Sequence, residues 1–160
     1  MFSKHFINSK SNEMIEVLKS LFIRDLKRLR KEVTLYKNEG NLWKLENDIS
    51  NTAGNLACHL VGNLKWFVGA QLGNTGYVRK RDLEFSEKNI PRDEILKRIN
   101  ETSEAVESTL NGLSHEDLDK DYPLEVFGSK MTVGYFLVHL SGHLMYHTGQ
   151  INYHRRLLDE

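Results

Sequence analysis

The sequence predicts an all-α fold, a four-helix bundle formed by one domain over residues 1–160. Apolar residues recur every three or four positions through the long segments, which is the spacing of a helix with one buried face. The two prolines of the chain, Pro91 and Pro123, both lie at boundaries of predicted elements. A chain of 160 residues also has the length of one ordinary domain.

The first two helices are the clearest. We predict the first over about residues 12–38, where turn residues end it. Its apolar stripe is Ile15, Leu18, Phe22, Leu26, Leu29, Val33 and Tyr36. The second is predicted over about residues 49–72, closed by a turn containing Gly73 and Gly76.

The second half of the chain is less regular. Residues 77–89 are charged and aromatic without a clear period, so we predict an ordered connection there. Pro91 suits the first position of a third helix that runs to about Leu113. Residues 122–131 alternate weakly and are predicted to be extended or a loose hairpin. Thr132 is the expected N-cap of the last helix, which runs to about Leu158.

Glycines share one spacing on two of these helices. They stand at positions 54, 62 and 69 of the second helix and at 134, 142 and 149 of the last. A glycine inside a helix costs up to about 1 kcal/mol relative to alanine. We therefore expect these glycines to mark a close approach of the two helices, with chance similarity as the alternative.

Charge and composition narrow the classes of function. Lysine plus arginine equals aspartate plus glutamate at 22 each, so the chain lacks the basic field that binding to nucleic acid or anionic membranes uses. The single cysteine excludes an internal disulfide and a site of several thiolates. The first residues show no apolar leader segment, and no run of about 18 apolar residues occurs. We expect a cytoplasmic protein.

Three histidines on the last helix are the strongest chemical signal. His139, His143 and His147 lie four residues apart, and side chains at that interval share one helix face. Two neutral imidazoles so placed can bind one metal ion at about 2 Å. The row drifts around the helix, so one pair is expected to bind, with a third ligand from another helix. His59, on the second helix, is the candidate for that ligand.

The absence of acidic residues around these histidines limits the chemistry. No Asp or Glu occurs over residues 49–81 or 131–158, which excludes a ferritin-like di-iron site. Leu140 and Leu144 stand where a zinc protease motif would have glutamate. An ion held by neutral imidazoles keeps its double charge and an open position, which favours an anionic fourth ligand. This pattern points to catalysis more than to a structural metal.

The segment His143-x-x-x-His147-Thr-Gly-Gln150, with His59 upstream, resembles the DinB/YfiT-like superfamily of metalloenzymes, whose last helix typically carries His-x-x-x-His-Arg-Gly-Gln. Residues 51–63 and 79–85 resemble one uncharacterised subfamily within it. The resemblance implies a four-helix bundle in which His59, His143 and His147 bind nickel or zinc. It also implies transfer or isomerisation with a low-molecular-weight thiol. Thr148 replaces the arginine of the motif, which leaves the role of that arginine open here.

Other residues are weaker candidates. We expect His139 to support or pack beside the site, although a His139–His143 pair is the main alternative. Asn63 and Gln150 are candidates for contact with a ligand or with a metal-bound group. Arg79 and Arg81 belong to a charge cluster that is either a surface or dimer salt-bridge network or a clamp for an anionic substrate. His154 lies near the helix end, where a histidine suits the helix dipole, and we assign it no function.

The expected function is that of a metal-dependent transferase or hydrolase, which activates a thiol or water toward a small electrophile. The competing hypothesis is a non-catalytic bundle, a homodimer whose histidines bind metal incidentally or sense it. Haem binding is a weaker third reading, because a pair four residues apart would crowd one face of the macrocycle.

Overall fold

A computed structural model describes the backbone of residues 3–160 and the side chains of residues 13–160, so residues 1 and 2 of the predicted domain lie outside the described part. The helices are α1 (Ser3–Thr34), α2 (Ala53–Leu64), α3 (Arg81–Ser86), α4 (Arg92–Gly112), α5 (His115–Leu118) and α6 (Val133–Leu158). A 3₁₀ helix, Glu39–Trp43, follows α1, and α2 continues directly into a π-helical segment, Lys65–Ala70. The described residues contain no strand beyond one isolated bridge, Asp121–Thr132, so the all-α prediction is confirmed.

Helix α1 packs its predicted stripe against α4 and α6. All seven stripe residues, from Ile15 to Tyr36, are buried. The helix ends at Thr34, earlier than the sequence predicts. The reason is tertiary: the carboxylate of Asp159, at the far end of the chain, accepts hydrogen bonds from the backbone N–H groups of Lys37 (2.6 Å) and Asn38 (3.1 Å).

Helix α2 is the most enclosed element of the described chain. Every residue from Ala53 to Leu64 is buried, because α3, α4 and α6 all pack against it. It begins at Ala53 rather than near residue 49, since the Thr52 side chain accepts the Asn55 N–H and caps the helix there. In the π-helical segment, the Phe67 carbonyl accepts a hydrogen bond from the buried Tyr122 hydroxyl at 2.7 Å.

The connection predicted over residues 77–89 contains the short helix α3, which the sequence does not reveal. Asn55 holds it in place: its buried amide donates to the backbone carbonyls of Glu84 (3.0 Å) and Glu87 (2.8 Å). These two bonds explain why a charged segment without apolar period folds against α2.

Smaller differences concern the second half of the chain. Pro91 precedes α4 as its capping residue and is not its first helical residue. The segment predicted to be extended is a loop whose ends pair, with the Tyr122 N–H donating to the Met131 carbonyl (2.8 Å). Gly128 in that loop has a φ of 74°, a conformation that glycine adopts without strain.

Helix α6 begins as predicted. Thr132 caps it by accepting the Tyr135 N–H at 3.1 Å. One side of the helix packs against α1 and α2. The other side leaves large apolar residues exposed, and we call these five the α6 outer face: Tyr135, Val138, Tyr146, Tyr153 and Leu157. No helix among the described residues is both long and apolar enough to span a membrane.

The sequence analysis expected the glycines of the second and last helices to mark a close approach of these two helices, and this is only partly confirmed. Helices α2 and α6 do pack together, but their glycines do not mediate the contact. A β-carbon added at position 54 would meet the Trp43 ring, and one added at position 62 would meet the Glu84 side chain. Around Gly142 and Gly149 an added β-carbon would meet no described atom within 4 Å. The glycines of α2 therefore make room for side chains of other elements.

Candidate metal centre

Three imidazoles from two helices converge at one point between α2 and α6. The Nε2 atom of His143 lies 3.3 Å from Nε2 of His59 and 3.1 Å from Nε2 of His147. These three side chains form the single group of potential metal ligands found among the described residues, with their ligand atoms all within 4.8 Å of one another. His59 is buried and the two α6 histidines are half-buried, so the cluster is reached from the α6 side.

Two of the three rings are held by acceptors on their far side. The Nδ1 atom of His59 lies 2.9 Å from the Glu84 carboxylate, and Nδ1 of His147 lies 2.6 Å from the Gln150 side-chain oxygen. Neither acceptor oxygen carries a hydrogen, so Nδ1 of each ring must donate. In a neutral imidazole this leaves the lone pair on Nε2, the atom that faces the cluster.

His143 completes the cluster differently. No described residue provides a hydrogen-bond partner for its buried Nδ1, and its ring is placed by edge-on packing against His147 at a centroid distance of 4.5 Å. Burial, together with the neighbouring His147, His59 and His139, lowers the pKa of His143 to about 4. Burial also lowers the pKa of His147, against the hydrogen bond with Gln150. At neutral pH both rings are therefore uncharged and able to bind a cation.

Glu84, the acceptor for His59, belongs to a buried ion pair. Arg79 donates to its two oxygens from Nε (2.7 Å) and from Nη2 (2.8 Å). Burial alone would raise the pKa of Glu84, but the hydrogen bonds from Arg79 and His59 lower it below its ordinary value. The carboxylate thus stays charged, and the arginine offsets that charge beside the cluster.

The spacing and chemistry of the three Nε2 atoms fit a divalent metal ion. Two nitrogens bound to one tetrahedral ion at about 2.05 Å lie about 3.3 Å apart, which matches the separations of His143 from its two neighbours. Imidazole nitrogens are typical ligands of zinc and nickel, and two of these three rings also have the hydrogen-bonded outer partner that is common in such sites.

The other predicted site residues lie around this cluster in distinct ways. His139 is exposed and outside the group of three, with its ring stacked on Phe136 (5.8 Å) and edge-on to Phe127 (4.8 Å). Asn63 is buried one turn after His59, and its Oδ1 has no partner among the described residues. Gln150 contacts His147 as described above.

Arg79 and Arg81 have different surroundings in the structure. Arg79 is largely buried in the pair with Glu84, so the surface salt-bridge interpretation is wrong for this residue. Arg81 is exposed and lies over the Phe85 ring at 5.5 Å, while the same ring contacts His59 at 4.9 Å. Neither arginine belongs to a surface ion pair among the described side chains.

Sequence reasoning missed Glu84 as a partner of the cluster. The two long helices lack acidic residues as predicted, but α3 brings a carboxylate to His59 from 25 positions along the chain. The feature that could have indicated this role is the cluster of opposite charges in residues 79–84, a segment without the apolar periodicity of a surface helix. A pair of an acid and an arginine in such a segment is a candidate for burial near a functional site.

The comparisons with known proteins give a family without an assigned activity. The family model described as "Protein of unknown function (DUF1572)" matches residues 9–160, and the chain belongs to this family. A search of curated proteins found no match.

Proposed function

We propose that this protein is a cytoplasmic metal-dependent enzyme whose ion, zinc or nickel, is bound by His59, His143 and His147. The observation that carries the proposal is the convergence of three Nε2 atoms, with that of His143 at 3.3 Å and 3.1 Å from those of His59 and His147, while Nδ1 of His59 and of His147 donates to an acceptor behind the ring. Nε2 of His59 and Nε2 of His147 each present a lone pair to the cluster, and a cation between the rings is a partner that all three Nε2 atoms can share.

We also propose that the fold is a four-helix bundle of the DinB/YfiT-like type. In support, α1, α2, α4 and α6 are the long helices, and each packs against at least two of the others. The family match covers residues 9–160 and therefore includes both His59 and the His143-x-x-x-His147-Thr-Gly-Gln150 segment on which the resemblance rests. Thr148, which replaces the arginine of the superfamily motif, is buried toward the core.

The residues around the cluster favour an anionic ligand for the ion. Imidazoles that bind a metal are neutral ligands, and Arg79 offsets the charge of Glu84. A divalent ion in such a site lowers the pKa of a bound thiol or water, which creates a nucleophile at neutral pH. His143 and His147 are only half-buried, so a small molecule in solution can reach an ion bound between them from the α6 side. We propose transfer of a low-molecular-weight thiol to a small electrophile, with hydrolysis or isomerisation as variants.

A non-catalytic homodimer that senses or incidentally binds metal is the second candidate. The observation that favours a dimer is the α6 outer face, whose five large apolar side chains are each 56–65% exposed. Exposed apolar patches of this kind mark interaction surfaces in soluble proteins. A dimer and an enzyme are compatible, so the two candidates differ in turnover and not in assembly.

Metal analysis tests the site. We expect protein purified without chelators to contain about one equivalent of zinc or nickel. His143→Ala should weaken binding of added zinc by more than about 100-fold, because loss of an outer-shell partner alone costs about 10–100-fold.

His139→Ala is the matched control, since it removes an imidazole from the same helix at the same spacing. It should leave the metal content unchanged. Equal loss from both variants would show that His139 is a ligand, and full metal content in His143→Ala would contradict the proposed site.

Cobalt substitution tests the thiol chemistry. Cobalt-loaded protein should change its visible spectrum on addition of a small thiol, because a thiolate that enters the open position alters the ligand field. Unchanged spectra with every thiol and electrophile tried would leave the non-catalytic candidate as the better explanation.

A further inference from the structure

We propose that Glu84 is a positioning residue for the metal centre: Arg79 holds it, Gly62 makes room for it, and it fixes the His59 ring with Nε2 toward the ion. This inference rests on the proposed metal site. It concerns how His59 is oriented, which the three ligands by themselves do not explain.

The geometry identifies Glu84 as a support and not as a ligand. Its Oε2 atom bonds Nδ1 of His59 at 2.9 Å, on the side of the ring opposite to the Nε2 atom that faces His143. Both carboxylate oxygens are occupied by Arg79, and Glu84 is absent from the group of potential ligands among the described residues.

Burial makes this support specific. The side chains of His59 and Glu84 are 9% and 6% exposed, and that of Arg79 is 11% exposed. Water competes poorly for the carboxylate at such burial, so the hydrogen bond to Nδ1 holds one tautomer and one ring orientation. Two Arg79 hydrogen bonds in turn hold the carboxylate plane.

Gly62 makes this arrangement sterically possible. It lies three residues after His59, on the same side of α2, and Glu84 lies directly against it. A β-carbon at position 62 would collide with Glu84 Oε1 and stand 2.8 Å from its Cδ. A glycine in the middle of a buried helix is otherwise unfavourable, so its presence here fits the need for the carboxylate.

The backbone of α3 is anchored independently of the Glu84 side chain. Asn55 donates to the carbonyls of Glu84 and Glu87, and the Thr52 hydroxyl donates to Asn55 Oδ1 at 2.7 Å. Substitution of the Glu84 side chain therefore leaves α3 attached to α2, and its effect on His59 can be measured in folded protein.

The experiment measures zinc affinity by competition with a chelator, and the His59 tautomer by nitrogen-15 NMR of the metal-free protein. Glu84→Ala should weaken zinc binding about 10–100-fold and lose the Nδ1–H tautomer of His59. Glu84→Gln keeps an acceptor oxygen but loses the charge, so its affinity should fall between wild type and Glu84→Ala. Gly62→Ala should behave like Glu84→Ala, because it displaces the carboxylate.

Gly112→Ala is the matched control for Gly62→Ala. Gly112 is also helical, and an added β-carbon there meets no described atom within 4 Å. It should leave zinc affinity and the His59 tautomer unchanged. Glu84→Ala protein that binds zinc as tightly as wild type and keeps the Nδ1–H tautomer would overturn the proposal.

The experiment also distinguishes failure of the proposed metal site from failure of the proposed role of Glu84. Wild-type protein that binds no zinc overturns the proposed function, and the tautomer of the metal-free chain then decides the role of Glu84. A His59 that holds Nδ1–H in wild type and loses it in Glu84→Ala supports positioning by Glu84. The same tautomer in both proteins overturns it.

Discussion

The three histidines of α6 have the same spacing and different surroundings. His143 and His147 meet His59 across the contact with α2, whereas His139 is exposed and packs on Phe136 and Phe127. Spacing alone left two pairs open, and the family resemblance favoured the second pair. The pair His143–His147 lies one helical turn further along α6 than the pair His139–His143, and only the packing of α6 against α2 decides which pair faces His59. Short-range patterns in the sequence do not specify that packing.

His154 shows how burial reverses an expectation at a single residue. The sequence places it near a helix end, where a histidine suits the dipole, yet the structure buries the ring. Tyr36 donates its hydroxyl hydrogen to Nδ1 at 2.8 Å, and Nε2–H donates to the Lys44 carbonyl at 3.0 Å. Burial lowers the pKa of His154, against the bond to Lys44.

This lowered pKa predicts a loss of stability in acid. The unfolded chain takes up a proton near pH 6.5 and the folded chain only at lower pH, so the contribution of His154 is complete above about 6.5 and falls as the pH decreases. Each unit by which the pKa is lowered is worth about 1.4 kcal/mol. We expect the difference in unfolding free energy between wild type and His154→Gln to shrink from pH 7.5 to pH 5.

Urea unfolding in the presence of a chelator provides the measurement, since removal of metal eliminates the pH dependence of metal binding. His143 and His147 titrate equally in both proteins and cancel from the difference. A difference that stays constant with pH would contradict the prediction.

At the scale of elements, periodicity identified the long helices and local chemistry identified some of their ends. Thr132 begins α6 as predicted, because its hydroxyl oxygen accepts the Tyr135 N–H within the same four residues. The end of α1 was not predictable in this way. It depends on Asp159, which lies more than 120 residues away along the chain.

The cap of α6 gives a prediction for this scale. Thr132→Ala should destabilise the protein by about 1 kcal/mol, because the Tyr135 N–H loses its acceptor. Thr132→Ser keeps a hydroxyl at the same position and should cost much less. Urea unfolding of the two variants measures the difference, and equal losses of stability would mean that the side-chain cap does not contribute.

The π-helical segment lies inside the second helix that periodicity predicts over about residues 49–72, and only its π geometry was not predicted; there the Phe67 carbonyl accepts the Tyr122 hydroxyl hydrogen. Helix α3 was missed altogether, because it has no apolar period and is held by Asn55 of α2. Short helices of this kind form because a tertiary acceptor or donor is present. Their own sequence carries little information about them.

At the scale of the whole molecule, the α6 outer face predicts a homodimer. Gly142 and Gly149 lie between its large side chains, and added β-carbons there would meet no described atom within 4 Å. A second copy related by a two-fold axis can place its protruding side chains over these gaps, which gives the self-complementary surface that such symmetry needs.

Sedimentation velocity tests this assembly with two matched substitutions. Val138, on the α6 outer face, is 56% exposed, and Val17, on α1, is 50% exposed. Val138→Glu should dissociate the dimer into monomers, because it buries a charge in the interface, whereas Val17→Glu should leave the dimer intact. Wild-type protein that sediments as a monomer at micromolar concentration would contradict the proposal.

By itself, the sequence determined the helical class, the buried stripe of α1, the cap of α6 and the types of residue able to bind a metal. These follow from periodicity and short-range hydrogen bonding, which act within about two helical turns. The tertiary structure decided which imidazoles meet, where α1 ends, and that Glu84 and Arg79 lie buried behind His59. Those features depend on contacts between residues far apart in the chain, and no local pattern specifies them.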